Sequence, residues 1–309
     1  MNNKLTIVMY HYVREIKKKN FPRLNVLKIF EFRNQLDYLQ KNYNLINFDE
    51  FEYCVANKKE LPKNSCMLTF DDGYKDHIKY VLPELSKRKL QGFFFPSGKA
   101  VEENALMEVD YIHLIIASTL NKNKLIKKLD ALCIENGFSE NEIKKNWKKF
   151  GVATRFDTKE VRYIKGVLQN MQPLNIRHRI QNELFKHFVK LDPKVVAKKL
   201  YLSFDDIKVL LNNNMYIGGH GYNHLWMRNE KKNVQKKEID KTLKFLTKIG
   251  AETKNWIMCY PFGSYNSDTI SILKRKKCIA GLTIKLGVNK ITTKSLFKLT
   301  RFDTNDFPK

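Results

Sequence analysis

Two neighbouring carboxylates and two histidines four positions apart are the residues of this chain best suited to chemistry. Asp71 and Asp72 follow a short apolar run and precede Gly73, and His220 and His224 follow a second such run. In parallel α/β folds the C-terminal ends of the strands meet at one edge, where ligands and catalytic groups lie. Two imidazoles and one carboxylate can hold a metal with open positions, while the second carboxylate acts as a base. The pattern therefore indicates hydrolysis of an amide or ester bond.

Each half of this pattern also has a plain structural interpretation. Asp-Gly is a common turn pair, and two histidines can be one core residue and one exposed residue. A second acidic pair, Asp205 and Asp206, follows Ser203 and is typical of a capped helix N-terminus, where carboxylates favour the helix dipole. We expect chemistry at the first acidic pair and a structural role for the second.

Short apolar runs that alternate with helical spacing predict the elements that must position these residues. Such alternation favours a parallel sheet or barrel. The predicted strands are 5–10, 65–70, 92–95, 215–217, 256–260 and 296–300. From about Glu102 to Leu200 the chain is Lys-rich with helical spacing. We therefore predict a first barrel part over 1–101, a helical insertion over 102–200 and a second barrel part over 201–309.

The composition is that of a folded protein with a large positive charge. The chain has 309 residues, of which 43% are hydrophobic and 12% aromatic, and a formal net charge of +25. These values exclude a disordered chain, a collagen and a disulfide-knitted miniprotein. The five cysteines form no CxxC pair, which favours reduced thiols over a disulfide framework or a structural cysteine zinc site.

The charge excess consists of lysine far more than arginine. The chain holds 46 Lys and 11 Arg, whereas nucleic-acid readers depend on the planar fork of arginine, so no nucleic-acid partner is expected. A compositional background, an anionic substrate and a membrane surface all remain open explanations. The apolar start at 5–10 resembles a core strand more than a signal peptide, and no run reaches the roughly 18 apolar residues of a membrane span. We expect a cytoplasmic protein, with peripheral contact to the inner face of the membrane left open.

Three motifs in order carry a resemblance to a known family: Thr69-Phe70-Asp71-Asp72-Gly73-Tyr74, His220-xxx-His224 and Tyr260-Pro261-Phe262-Gly263. They resemble the polysaccharide deacetylase family (NodB homology domain, carbohydrate esterase family 4), as do the runs 8–11, 93–98 and 202–206. The resemblance covers roughly residues 5–100 and 200–309. It implies an α/β fold, namely a distorted, incomplete (β/α) barrel of the NodB-homology type, which here carries the long helical insertion.

The resemblance also implies roles for individual residues. Asp71 would be the general base that activates a metal-bound water. Asp72, His220 and His224 would hold a divalent metal ion, commonly zinc, with cobalt or nickel as alternatives. The substrate groove would be lined by Tyr74, Tyr260, Pro261, Phe262 and Gly263, and the backbone N–H of Phe262 would help to stabilise the oxyanion.

The chain departs from the family pattern at two positions. Many members have an arginine where Cys259 stands, and many have a late catalytic histidine, whereas no histidine follows His224. Arg301 is our candidate to replace the arginine, the alternative being a surface residue. His11 is our candidate for the general acid, the alternative being a structural hydrogen bond at a strand end. The other histidines are expected on the surface or in the insertion: His77, His113, His178 and His187.

These expectations describe a metal-dependent carbohydrate deacetylase. The predicted reaction removes an N-acyl group, by preference acetyl, from an amino sugar in a sugar-nucleotide or lipid-linked precursor for surface glycan biosynthesis, so the substrate can bear phosphate. A deformylase or an O-deacetylase on a similar substrate is one alternative. A non-catalytic protein that binds a glycan or a lipid phosphate on the same scaffold is another.

Overall fold

The computed structural model describes residues 4–15 and 24–309, which divide into two units. The first unit contains the described residues 4–15, 26–105 and 197–309. The second contains residues 24–25 and 106–196. We describe each unit by itself.

Nine strands are described: β1 (Lys4–Tyr10), β2 (Asn44–Leu45), β3 (Ser65–Asp72), β4 (Phe93–Pro96), β5 (Tyr216–Ile217), β6 (Trp256–Cys259), β7 (Cys278–Leu282), β8 (Asn289–Lys290) and β9 (Phe302–Asp303). The described α-helices are α1 (Ile29–Asn42), α2 (Phe48–Ala56), α3 (Leu82–Lys87), α4 (Gly98–Glu102), α5 (Glu108–Ala117), α6 (Lys122–Glu135), α7 (Glu140–Phe150), α8 (Lys159–Asn170), α9 (Leu174–Phe188), α10 (Pro193–Leu200), α11 (Phe204–Asn212), α12 (Lys232–Lys248) and α13 (Ser267–Arg275).

The strands of the first unit follow one another around an irregular ring. β1 pairs in parallel with β3, β3 with β4, and β4 with β5. A parallel bridge joins Gly219, just after β5, to Met258 of β6, and β6 pairs with β7. Leu282 of β7 bridges to Leu299, and β9 pairs with β1. This ring of short parallel strands is the distorted (β/α) barrel that the sequence predicted.

Alternation along β3 sorts its side chains between two apolar cores. Leu68 and Phe70 pack in the core that α1 and α11 share, whereas Met67 belongs to the core on the other face, with side chains from β1, β4, β6 and β7. Because side chains alternate with period two, Thr69 and Asp71 lie on the same face as Met67. The strand thereby directs one of its two terminal carboxylates toward the face that β6 and β7 also line.

Two local predictions have opposite outcomes. The cap at Ser203 is confirmed, since its Oγ accepts from the backbone N–H of Asp206 at 3.2 Å and the Asp206 side chain accepts from the backbone N–H of Ser203 at 2.7 Å. The strand predicted at 296–300 is wrong. Leu296–Lys298 is a 3₁₀-helix, closed by a hydrogen bond from the Lys298 N–H to the Ser295 carbonyl at 2.8 Å, and β9 begins only at Phe302.

The described part of the second unit is helical, with α5 to α9 around one apolar core. Leu125 and Leu129 of α6, Ile164 of α8 and Leu184 of α9 are buried in this core. Among the residues described, no helix has the length and apolar character needed to cross a membrane.

Candidate active site

Asp71 is held by a buried arginine at the C-terminal end of β3. The Arg301 guanidinium donates to both Asp71 oxygens, at 2.9 Å to Oδ1 and 2.7 Å to Oδ2. It also donates to Thr69 Oγ1 at 3.1 Å and to the Thr283 carbonyl at 2.8 Å. Arg301 is only 1% exposed, so it is a core residue of the site and the surface alternative is wrong.

This pair keeps Asp71 ionised. Burial by itself raises the pKa of the Asp71 carboxyl, but the charge and hydrogen bonds of Arg301 outweigh it and lower that pKa to about 2. The Cys259 thiol donates to Asp71 Oδ2 at 3.4 Å and stands where many relatives of the predicted family have arginine. Asp71 is thus a carboxylate at neutral pH, with its orientation fixed by a bidentate partner.

Asp72, the next residue, is directed away from the arginine toward two histidines. Its Oδ1 lies 3.2 Å from His220 Nε2 and 3.4 Å from His224 Nε2, and its Oδ2 accepts from the Tyr74 hydroxyl at 2.8 Å. Asp72 has a φ of 71°, in the left-handed region that side chains rarely adopt. Such strain is common at functional sites, where the surrounding structure maintains it.

The three side chains form a set that suits a divalent metal. One ligand atom from each of Asp72, His220 and His224 lies within 4.8 Å of the others, and all three residues are buried or nearly so. His220 Nδ1 is 2.9 Å from the Cys259 carbonyl, an arrangement in which Nδ1–H donates and the Nε2 lone pair is left for a metal. Two imidazole nitrogens and one carboxylate oxygen are ligands that Zn²⁺ prefers. These residues therefore fit the predicted metal.

The pKa values of the two histidines shift in opposite directions. Burial lowers the pKa of His224, which favours the neutral ring that ligates metals. Burial would also lower the pKa of His220, but Cys259 and Asp72 outweigh it and raise that pKa well above its usual range. A metal ion would take the place of that proton.

A second group of donors is a poorer candidate. Asp71, His220 and Cys259 also bring ligand atoms within 4.8 Å of one another. Both oxygens of Asp71 already accept from Arg301, and a metal there would lie against a guanidinium cation. Asp72, His220 and His224 are therefore the better candidate set for a metal ion.

The loop between the two histidines is fixed by a carboxylate that no sequence motif indicates. Glu238 of α12 is 2% exposed and accepts from the Asn223 backbone N–H at 2.6 Å and from its Nδ2 at 2.7 Å. His224 has a φ of 57°, so this loop closes through a second left-handed residue of the site. Glu238 and Asn223 thus fix the loop that carries the two histidines.

The polysaccharide deacetylase family model matches residues 58–150 and 203–278, which together are more than half of the chain. The chain belongs to the polysaccharide deacetylase family. YxkH of Bacillus subtilis (strain 168), whose name assigns it provisionally to the polysaccharide deacetylases, is 27% identical over 99 residues, or 32% of this chain. The matched stretch spans 33% of that relative.

Solved deacetylase structures share the fold of this deacetylase-family chain. Streptococcus pyogenes deacetylase PplD in complex with acetate has a TM-score of 0.58 at 17% identity, over 97% of this chain and 92% of that one. IcaB from Ammonifex degensii has a TM-score of 0.57 at 16% identity, over 96% and 90%. A de-N-acetylase from Aggregatibacter actinomycetemcomitans has a TM-score of 0.54 at 14% identity, over 97% and 95%. At these sequence identities, the structural similarity supports the NodB-type fold for this chain.

His11 lies close to the Asp71 carboxylate, and His77 contacts the backbone of His11. His11 Nε2 is 3.8 Å from Asp71 Oδ2, and its side chain is 38% exposed. His77 was expected on the surface or in the insertion, and this is wrong. It is fully buried in the first unit, with Nε2 3.0 Å from the His11 carbonyl, where it donates from the Nε2–H. The sequence shows where the histidines stand along the chain, but no local pattern around His77 indicates that its side chain is buried.

Two residues assigned to the substrate groove have other positions. The Tyr260 side chain is fully buried and donates to the Phe297 carbonyl at 3.1 Å, because alternation along the end of β6 directs it into the core. Tyr74 is also fully buried and holds Asp72, so it is a positioning residue.

The rest of the predicted groove segment is next to the histidines. The ring of Phe262 lies 4.7 Å from that of His224 and stacks on Trp226 at 4.1 Å. Phe262 is the third non-glycine residue of the site with a left-handed backbone, with a φ of 56°, and it lies between the buried Pro261 and Gly263. Trp226 was not predicted, and only its position two residues after His224 could have indicated it.

Proposed function

We propose that the first unit catalyses metal-dependent hydrolysis of an N-acyl group, by preference acetyl, on an amino sugar. One observation carries the proposal: the arginine-held carboxylate of Asp71 is adjacent to the ligand set of Asp72, His220 and His224. A base beside three metal ligands is what hydrolysis of an unreactive amide requires. Carbohydrate deacetylation is also the activity for which the family is named.

Each residue has a distinct role in the proposed reaction. A divalent metal, by preference zinc, would supply Lewis acidity that polarises the acyl carbonyl and lowers the pKa of water. Asp71 accepts the proton of the attacking water, and Arg301 keeps its two oxygens in one orientation. His11, part-exposed beside Asp71, donates a proton to the leaving amine. The N–H of Phe262 supports the developing oxyanion.

The finer proposal concerns the substrate. We propose a phosphate-bearing precursor for a surface glycan, such as a sugar nucleotide or a lipid-linked sugar, handled in the cytoplasm or at the inner face of the membrane. The lysine excess of the chain supports it, since anionic substrates are attracted by a positive field. A formyl group or an ester-linked acetyl remains an alternative for the group removed.

Metal content and product analysis test the proposal together. We expect the purified chain to bind about one zinc, cobalt or nickel ion, and Asp72→Asn to lose it. Asp205→Asn is the matched control, because Asp205 is an exposed carboxylate of the other acidic pair. Acetate, formate and free amine would be quantified after incubation with an N-acetylated chito-oligosaccharide and with UDP-N-acetylglucosamine. A metal-free chain, or product formation that survives loss of both His220 and His224, would contradict the proposal.

A further inference from the structure

The second unit contains a basic cavity that the proposed reaction does not use. Its volume is about 690 Å³, in the range of sites for small ligands. Its walls come from the segment after α5, from the start of α6 and from the end of α9. The residues that line it are Ser118, Thr119, Lys124, Lys128, Glu183, Lys186, His187, Phe188 and Lys190.

The four lysines of the cavity make no ion pair with any carboxylate in residues 4–15 and 24–309. Another lysine of the same unit, Lys165, is paired at 2.8 Å with Asp157. With only Glu183 to oppose them, the lining side chains carry a formal charge of +3 at neutral pH when His187 is neutral. Like charges directed into one cavity repel unless an anion offsets them.

Helix stability explains the position of Lys186 but not those of the lysines of α6. Lys186 is in the last turn of α9, where a cation favours the helix dipole. Lys124, however, is in the first turn of α6, where a cation is unfavourable, and no acidic residue stands in that turn. Lys124 and Lys128 are also four apart on α6, so they share one face and repel each other.

The walls of the cavity are held in place by the core beneath them. Leu125 and Leu129 of α6 pack with Leu184 of α9 in one apolar cluster. The ring of Phe188 lines the cavity, and its centroid lies 4.6 Å from that of the His187 ring. The cavity thus offers lysine charges, two hydroxyls and two rings on helices that pack together.

We propose that this cavity binds the diphosphate group of a small ligand. Lysine binds phosphate as a point charge, and a diphosphate monoester, in which the terminal phosphate is free, carries about −3 at neutral pH, which matches the charge of the lining. The rings of His187 and Phe188 would contact the organic part of the ligand. Soluble nucleoside diphosphates and lipid diphosphates share this chemistry. The inference goes beyond the proposed hydrolysis and does not depend on it.

Direct binding to the full chain tests the inference. Calorimetric titrations would use UDP, inorganic pyrophosphate and uridine, and sedimentation would use phosphatidylcholine vesicles with and without farnesyl diphosphate. We expect UDP or the farnesyl diphosphate vesicles to bind, which distinguishes the soluble source from the lipid source, and we expect uridine not to bind. The double variant Lys124→Glu/Lys186→Glu should weaken binding by at least about tenfold, whereas Lys144→Glu/Lys148→Glu on α7, with the same change in charge, should stay within about twofold.

Several outcomes would overturn the inference. They are absence of binding to every diphosphate probe, equal loss in both double variants, and uridine binding as tightly as UDP. Circular dichroism of the two double variants excludes unfolding as the cause of a loss. If the cavity variant does not fold, Lys124→Gln and Lys186→Gln measured singly replace it, with Lys144→Gln and Lys148→Gln as controls. Equal affinity in these four variants would also overturn the inference.

Discussion

Arg301 contacts Asp71 across 230 positions of the chain, and that contact holds the Asp71 carboxylate ionised and in one orientation. Replacement of the buried guanidinium leaves the Asp71 carboxylate without its cation. We predict that Arg301→Gln lowers the free energy of unfolding by about 3–5 kcal/mol, because an unpaired buried charge is costly. It should also lower kcat, because the base loses its orientation. Arg301→Lys should recover part of the lost stability and part of the lost kcat, since it restores the charge without the bidentate geometry.

Arg33 provides the control for this prediction. It also donates to a carboxylate, Glu84, at 2.7 Å, but its side chain is 54% exposed. Arg33→Gln should cost about 0–1 kcal/mol, as exposed pairs do. Denaturant unfolding of both variants, together with steady-state kinetics, makes the comparison. If the two replacements lowered the free energy of unfolding equally, the prediction that the buried Arg301 pair contributes more to stability than the exposed Arg33 pair would be contradicted.

At the scale of elements, the Pro261-Phe262-Gly263 turn depends on the glycine at its end. Gly263 has a φ of 62°, and a Cβ there would lie 2.6 Å from Ile284 Cγ1 and 2.9 Å from the Ile284 backbone nitrogen. Gly250 has a φ of 78° but open space around its position. Both alanine variants meet the left-handed penalty of about 1–2 kcal/mol. Gly263→Ala should lose about 1–3 kcal/mol more from overpacking and should reduce kcat/KM, because Phe262 is displaced.

Thermal unfolding and kcat/KM of the two alanine variants check this prediction. Gly250→Ala should keep the activity of the parent, since Gly250 lies before the start of β6, whereas the turn follows the C-terminal end of that strand. A Gly263→Ala variant as active and as stable as Gly250→Ala would contradict the account of the turn.

The elements also mark how far sequence reasoning extends. The acidic pair at the C-terminal end of β3 and the histidine pair after β5 were predictable, because apolar runs and their polar ends are local patterns. The burial of Arg301, the hydrogen bonds of Glu238 and the inward direction of Tyr260 were not predictable. Each depends on a partner from a distant element: Thr283, Asn223 and Phe297 in turn. The 3₁₀-helix at Leu296–Lys298 shows the same limit, since an apolar run also suits a strand.

For the molecule as a whole, buried His77 predicts a dependence of stability on pH. Burial lowers the pKa of His77 to about 4, although its hydrogen bond to the His11 carbonyl raises it. The unfolded state, with an ordinary histidine pKa of about 6.5, therefore binds more protons between pH 6.5 and 4. Stability is lost as the pH falls through this window, by about 2 kcal/mol between pH 7 and pH 5 from this residue.

Comparison of His77→Phe with the parent isolates this contribution. The variant should lack the part of the pH dependence that His77 causes, whereas His178→Phe, at an exposed position, should keep all of it. Free energies from hydrogen exchange of the β3 amides, at pH 5 and pH 7, report the first unit directly. The same pH dependence in His77→Phe and the parent would contradict the prediction.

The net charge of +25 is a second property of the whole molecule. The proposed chemistry depends on Asp71, Asp72, His220 and His224, none of which explains an excess of lysine. Part of that excess lines the cavity between α6 and α9. We still propose that the helical insertion spans residues 102–200 and that the two barrel parts span 1–101 and 201–309. In our account the positive charge serves to bind ligands, whereas the barrel carries the residues of the proposed reaction.

Acetate release by the zinc-loaded chain tests the central claim most directly. The substrate would be UDP-N-acetylglucosamine or an N-acetylated chito-oligosaccharide, and the enzymes would be the parent, Asp71→Asn and Asp205→Asn. We predict release by the parent and by Asp205→Asn, with a loss of at least about 100-fold in Asp71→Asn, the size expected for a general base. Asp71→Asn should still bind zinc. Acetate release by Asp71→Asn at the rate of the parent would contradict the account.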